Sequence, residues 1–179
     1  MAKIAINGFG RIGRIFFRQA FGLGGIDIVA VNDLGDLGNL AYLLKYDTVY
    51  GRFNREVAVA GGNLLVDGKK ISCFQAKNPA ELPWKSMGID VVVESTGLFV
   101  SAEKSQAHIT AGAKRVVITA PIKDGETVLM AMNENKLEDC QISSNASCTT
   151  NAGSPLIAIL DETLGIEKAL LNTVHGYTA

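Results

Sequence analysis

The stretch "SNASCTTNAGSP", Ser144 to Pro155, surrounds Cys148 with Ser144, Asn145, Ser147, Thr149 and Thr150. A buried structural thiol has apolar neighbours, whereas these hydroxyls and this amide can hold an oxyanion or a phosphate. The stretch follows a predicted strand, "CQISSN", and precedes a predicted helix through "TNAGSPLIAILDETL" that Gly165 ends. A thiol at a helix N-terminus feels the positive end of the helix dipole, which favours the nucleophilic thiolate. The same residues also read as a capping loop, with Thr149 or Thr150 as cap and an incidental cysteine. Cys73 and Cys140 sit in or beside apolar strand patterns and read as inert core thiols.

A nucleophilic thiol needs a base beside it in space. The chain has two histidines. His108 falls in the middle of the helical pattern "SQAHITAGA" and reads as a surface or partly buried side chain. His175 ends the β-branched run in "NTVHGYT"; it reads as a satisfied strand-end histidine or as the base, and spacing does not choose between them.

A second constellation lies at the start. "NGFGRIG" places Gly8, Gly10 and Gly13 in the spacing G-x-G-x-x-G, directly after a strand and opening a helix. The first glycine permits the tight turn, the second lets backbone approach a pyrophosphate, and the third lets helix pack on strand. The next strand, "IDIVAVND", ends in Asp33, about 20 residues after Gly13. An acid there hydrogen-bonds both ribose hydroxyls of NAD and repels the 2′-phosphate of NADP. A tight turn with a capping acid is the alternative reading.

The elements that must position these residues alternate along the chain. "KIAI", "IDIVAVN", "DVVVES" and "KRVVIT" have the β-branched composition of buried parallel strands. Helical patterns run from Arg11 to Ala20, Leu37 to Lys45 and Ser101 to Ala111. This predicts an α/β fold with a doubly wound, mostly parallel Rossmann-type sheet. "REVAVAGGNLLVDGKKISCF" carries Gly61-Gly62 and Asp67-Gly68 turns and predicts a small antiparallel excursion. Gly153 and Pro155 are expected in the first turn of the helix after Cys148, and "EKALLNTVHGYTA" is expected to be a strand.

The bulk values are globular: 179 residues, 47% hydrophobic, 20% charged. A net charge of −1 gives no reason to expect a nucleic-acid or membrane partner. No apolar run reaches the roughly 18–20 residues of a membrane span, and the N-terminus has no signal-peptide pattern. Three widely spaced cysteines without a C-x-x-C pair suggest neither a metal site nor a disulfide framework, and fit a reducing cytoplasm.

"INGFGRIGR", "VAVNDL", "LAYLLKYDTVYGRF", "ESTGLF", "NASCTTN" and "TVHGYT" occur in the order and at the intervals of a known family. The chain resembles the phosphorylating glyceraldehyde-3-phosphate dehydrogenases. The resemblance implies that Arg11 and Ile12 contact the NAD pyrophosphate, Asp33 the adenosine ribose, and Lys77 the adenine. It implies that Thr96, Gly97 and Thr119 line the nicotinamide half, that Cys148 is the nucleophile and that His175 is its base. Ser147, Thr149 and Thr178 are implied to bind substrate or inorganic phosphate. The substrates implied are glyceraldehyde 3-phosphate and inorganic phosphate, with erythrose-4-phosphate dehydrogenase, a close relative, as an alternative activity, and the full-length parent is implied to be a cytoplasmic homotetramer.

The family pattern continues for about as many residues again. The sequence therefore reads as a cofactor domain, 1–148, followed by the first helix and strand, 149–179, of a catalytic domain otherwise absent. A reactive NAD-binding module without turnover is the alternative function. Many family members carry a second cysteine at the position of Ala152, so one route to oxidation of Cys148 is missing here.

Overall fold

The structure, a computed structural model, describes residues 1–176. The strands are β1 (Ala2–Asn7), β2 (Ile26–Asn32), β3 (Tyr46–Asp47), β4 (Gly51–Arg52), β5 (Val57–Ala60), β6 (Asn63–Val66), β7 (Lys69–Phe74), β8 (Val91–Glu94), β9 (Arg115–Ile118), β10 (Glu126–Thr127) and β11 (Ile142–Ser144). The helices are α1 (Arg11–Ala20), α2 (Leu37–Lys45), α3 (Trp84–Met87), α4 (Ala102–Thr110) and α5 (Cys148–Leu164).

Among the described residues, nine strands form one sheet in the order β10-β11-β9-β8-β1-β2-β7-β6-β5. It is parallel from β10 to β7, and β6 and β5 add an antiparallel edge. This is the expected fold, with the expected antiparallel excursion extending the main sheet. The short antiparallel pair β3–β4 was not anticipated from the sequence.

Period-two alternation along the central strands feeds two cores. Ile4, Ile6, Ile28 and Val93 join Phe17 of α1 and Leu40 and Leu44 of α2 on one face. Ala5, Ala30, Val92, Val116 and Ile118 join Trp84 and Ile89 on the other. The strands are apolar on both faces because both faces are covered.

Side chains cap three helices. Asp36 Oδ1 accepts from Asn39 N, Ser101 Oγ from Lys104 N and Ser147 Oγ from Thr150 N. Asp124 also accepts from the first N–H groups of α4, Ala102 and Glu103, and these bonds hold its carboxyl below the usual range. A depressed folded-state value stabilises above the unfolded value and loses that contribution as pH falls through the folded one. Asp124→Ala should therefore lower Tm at pH 7, and the difference from wild type should shrink at acid pH; a pH-independent difference would contradict this assignment.

The region after Cys148 departs from expectation twice. The α5 helix begins at Cys148 itself, so Pro155 lies inside the helix beyond its first turn, where it denies Asn151 its backbone donor. Residues 167–176 are irregular and exposed, and no strand forms among them. A β-branched run needs a sheet edge to pair with, and among the described residues this run pairs with none. No side chain of α5 is buried, and Leu156, Ile159 and Leu164 are exposed. No helix among the described residues is long and apolar enough to cross a membrane.

Candidate active site

The topology reverses between β1 and β8: from β1 the chain passes to β2 on one side and reaches β8 on the other. A crevice at the carboxyl ends of such strands is where doubly wound sheets bind ligands. Gly8 follows β1 at φ +89°, and a Cβ there would lie 2.6 Å from Ser95 C and from Thr96 N. Ser95 Oγ donates to Gly8 O at 2.7 Å, tying the two loops together. A Cβ on Gly13 would fall 2.1 Å from Gly8 O. Gly10 differs: its φ is −70°, and a Cβ there would meet nothing within 4 Å.

The space over Gly10 opens into a groove of about 250 Å³ lined by Gly8, Gly10, Asp33, Lys77, Thr96 and Phe99, among others. Of these, Gly8, Gly10, Asp33, Lys77 and Thr96 were proposed from sequence, and the fold brings them to one site. Arg11, Ile12 and Gly13 form the adjoining first turn of α1, whose Gly10 start supplies no side-chain cap. Its first N–H groups are left for an anion. Gly97 follows Thr96 at φ +74°, and Thr119 stands one strand away, donating through N and Oγ1 to Glu94 O.

Asp33 Oδ2 accepts from Phe9 N at 2.6 Å and Oδ1 from Gly35 N at 2.8 Å. Each carboxylate oxygen can accept again, so the pair is aimed and still competent for two hydroxyls. The donors of α1, the room over Gly10 and the anchored carboxylate fit the pyrophosphate and ribose of a dinucleotide.

The thiol site is built by a sharp strand-to-helix turn. Asn145 N donates to Ile118 O, and Ala146, buried, takes φ +59°. Ala146 N is held by Ser144 Oγ at 2.9 Å. A non-glycine residue at positive φ costs about 1 kcal/mol and persists only where its surroundings hold it. The turn leaves Cys148 exposed as the first residue of α5. Ser147, and not Thr149 or Thr150, caps the helix, and its Oγ also lies 2.9 Å from Thr149 Oγ1 and 2.7 Å from Thr150 Oγ1. Asn151 Nδ2 donates to Asn145 O and Ser147 O, bracing the turn from below.

His175 Nε2 lies 3.6 Å from Cys148 Sγ, with both side chains exposed. The irregular segment 167–176 thus delivers an imidazole to the thiol, the geometry of an activated nucleophile. Thr178 lies outside the described residues.

The other two cysteines are half-buried, and burial pushes the Cys73 thiol above its usual value. Both are thus less deeply placed than core thiols. His108 corrects the sequence reading most: it is fully buried, between Trp84 and Glu94. Its helix packs that face on the sheet, and its two ring nitrogens find partners that spacing along α4 does not reveal. The sequence reading also missed Asn7, Asn32 and Glu94, all buried. The signal was present: "IAIN", "VAVN" and "VVVE" are apolar runs that each end in a polar residue.

The family model described as the NAD binding domain of glyceraldehyde 3-phosphate dehydrogenase matches residues 2–102. This chain belongs to the glyceraldehyde 3-phosphate dehydrogenase family. The family's C-terminal domain model matches residues 147–179. Glyceraldehyde-3-phosphate dehydrogenase of Streptomyces coelicolor is 48% identical over 98% of this chain and 54% of its own length. The enzyme named glyceraldehyde-3-phosphate dehydrogenase 1 of Kluyveromyces lactis is 47% identical over 100% of this chain and 55% of its own. The Salmonella typhimurium relative is 49% identical over 99% and 54%. The chain spans about half the length of these relatives. The dinucleotide of this family is NAD, and the groove described above meets its requirements.

Proposed function

We propose that this chain is the cofactor-binding and nucleophile-bearing part of a glycolytic oxidoreductase that converts D-glyceraldehyde 3-phosphate, with NAD and inorganic phosphate, to 1,3-bisphosphoglycerate. The observation that carries the reading is Cys148 Sγ, 3.6 Å from His175 Nε2, at the start of a helix that rises from the sheet carrying the dinucleotide groove. His175 takes the thiol proton as Cys148 attacks the aldehyde carbon and returns it to the oxygen of the former carbonyl, giving a hemithioacetal and a neutral imidazole. His175 then takes the hydroxyl proton as the C–H bond breaks, leaving a thioester on Cys148. When bound, NAD supplies the hydride acceptor. Inorganic phosphate attacks the thioester carbonyl, the C–S bond breaks, and the thiolate is restored as the acyl phosphate leaves.

Ser147, Thr149 and Thr178 are assigned to substrate or inorganic phosphate, Arg11 and Ile12 to the pyrophosphate with Gly13 packing their helix on the strand, Lys77 to the adenine, and Thr96, Gly97 and Thr119 to the nicotinamide. The division proposed is a cofactor domain, 1–148, and the beginning of a catalytic domain, 149–179. The proposed setting is the cytoplasm, in keeping with three unpaired cysteines, and the proposed assembly is a homotetramer. One observation favours a second reading for the chain by itself: α5 buries no side chain. Binding of NAD without turnover, with Cys148 reactive, would follow if the exposed segment does not hold His175 steadily.

The test is a calorimetric titration of the chain with NAD, followed by an assay with glyceraldehyde 3-phosphate and phosphate. Saturable binding is expected. Asp33→Ala should weaken it about 10- to 100-fold, the range for charge-assisted hydrogen bonds to a ribose. Binding that does not saturate, or that Asp33→Ala leaves unchanged, would remove the dinucleotide assignment; NADH formation would reject the binding-only alternative.

A further inference from the structure

Behind the groove lies a hydrogen-bond network, and its direction is set by groups that can only donate. Glu94, His108, Asn7 and Trp84 are each no more than 1% exposed. Trp84 Nε1 donates to His108 Nδ1 at 3.0 Å. An indole N–H never accepts, so Nδ1 is the acceptor and the ring proton sits on Nε2, which donates to Glu94 Oε2 at 3.0 Å. Asn7 Nδ2 reaches the same oxygen at 2.5 Å. Its amide cannot be reversed, because Asn7 Oδ1 accepts from Asn32 Nδ2 at 2.7 Å. Asn32 is pinned in turn by Ala76, whose N–H donates to Asn32 Oδ1 at 2.8 Å and whose carbonyl accepts from Nδ2 at 2.9 Å.

The other oxygen faces the groove wall. Glu94 Oε1 accepts from Thr96 N at 2.8 Å and from Thr96 Oγ1 at 2.5 Å. Thr96 Oγ1 in turn accepts from Leu98 N at 3.0 Å. Glu94 thus accepts at both oxygens, from Asn7 and His108 on one and from Thr96 on the other. Thr96 and Leu98 line the groove.

We propose that Glu94 is a positioning residue for the dinucleotide: its carboxylate clamps the Thr96–Leu98 turn that forms one wall of the groove. The inference rests on the NAD reading above, and it adds a group that does not touch the cofactor. Its consequence is that glutamine, nearly the same shape, has no compatible orientation. Turned one way its NH2 meets Thr96 N–H; turned the other it meets His108 Nε2–H and Asn7 Nδ2. The sheet side of the network is packed in the core, whereas Leu98 is 67% exposed, so the turn is the part that yields.

The experiment compares the full chain with Glu94→Gln, Trp84→Phe and the double variant. NAD affinity is read by calorimetry, and amide hydrogen exchange is read at Thr96, Leu98, Ile6 and Val92. In Glu94→Gln, affinity should fall about tenfold, the scale of one unpaired buried donor, and Thr96 and Leu98 should lose protection while Ile6 and Val92 keep theirs. Removing the indole donor frees His108 to carry its proton on Nδ1. Its Nε2 can then accept from the side-chain amide that Glu94→Gln introduces. The double variant should therefore bind NAD more tightly than the product of the two single effects.

Unchanged affinity with protected turn amides in Glu94→Gln would overturn the proposal. So would equal loss of protection at Ile6 and Val92, which indicates a general core role, or a strictly multiplicative double variant. If the wild-type chain binds no NAD, the dinucleotide reading fails separately, and exchange at Thr96 and Leu98 still decides whether Glu94 clamps the turn.

Discussion

Iodoacetamide is expected to label Cys148 well before Cys73 and Cys140, and His175→Asn to slow that labelling about tenfold or more. Cys148 is exposed at the first position of a 17-residue helix, with an imidazole nitrogen 3.6 Å from its sulfur. The neighbouring imidazole can take the thiol proton as the sulfur attacks. Burial works against Cys73, whose thiol is pushed up. Positioned bases contribute roughly 10²- to 10⁴-fold in catalysis, and an exposed pair in open solvent should sit at or below the low end of that range. Timed quenching and peptide mass mapping would follow each cysteine separately. Equal rates in wild type and His175→Asn would show that the pair does not operate, and preferential labelling of Cys73 would contradict the reading of the helix start. Ser147→Ala is a useful companion, because it removes the cap at Thr150 N without touching the thiol.

The largest contrast is expected between two neighbouring glycines. Gly13→Ala places a methyl carbon 2.1 Å from Gly8 O and 2.9 Å from Ser95 Oγ. The first of these is backbone in the turn that follows β1 and cannot swing aside. Overpacking of this kind should cost about 3 kcal/mol or more, a fall in Tm of about 10 °C for a chain of this size. Gly10→Ala meets nothing within 4 Å and needs no unusual φ, so Tm should stay within about 2 °C of wild type. The added methyl fills the space that the pyrophosphate needs, and NAD affinity should drop more than about tenfold. Thermal unfolding and titration of both variants separate the roles. A Gly13→Ala protein as stable as wild type would refute the close-packing account, and a Gly10→Ala protein that binds NAD normally would move the pyrophosphate elsewhere.

Much of this was readable in advance because it depends on local chemistry. The bounds of α1 and α2 follow from apolar period and from the residues that start and stop a helix, and they coincide with the expected ones. The cap of α5 did not, because three adjacent hydroxyls can all serve and only backbone geometry selects Ser147. The segment 167–176 misled for a related reason: β-branched residues express a preference for a pleated surface, and here no such surface is offered.

By itself the sequence determined the α/β class, the glycine loop with Asp33, and a cysteine among hydroxyls at a helix start. Each of these is specified by residues close together along the chain or by the regular alternation of strands and helices. Only the tertiary structure decided that His175, 27 residues from Cys148, delivers its ring to the thiol. Only it decided that His108 leaves the surface to join Trp84, Glu94 and Asn7 beneath the groove. Neither contact has a period or a spacing to reveal it. For His108 and its partners it is the order of strands in the sheet that makes them neighbours, and for His175 it is the irregular segment after α5 that returns to the helix start.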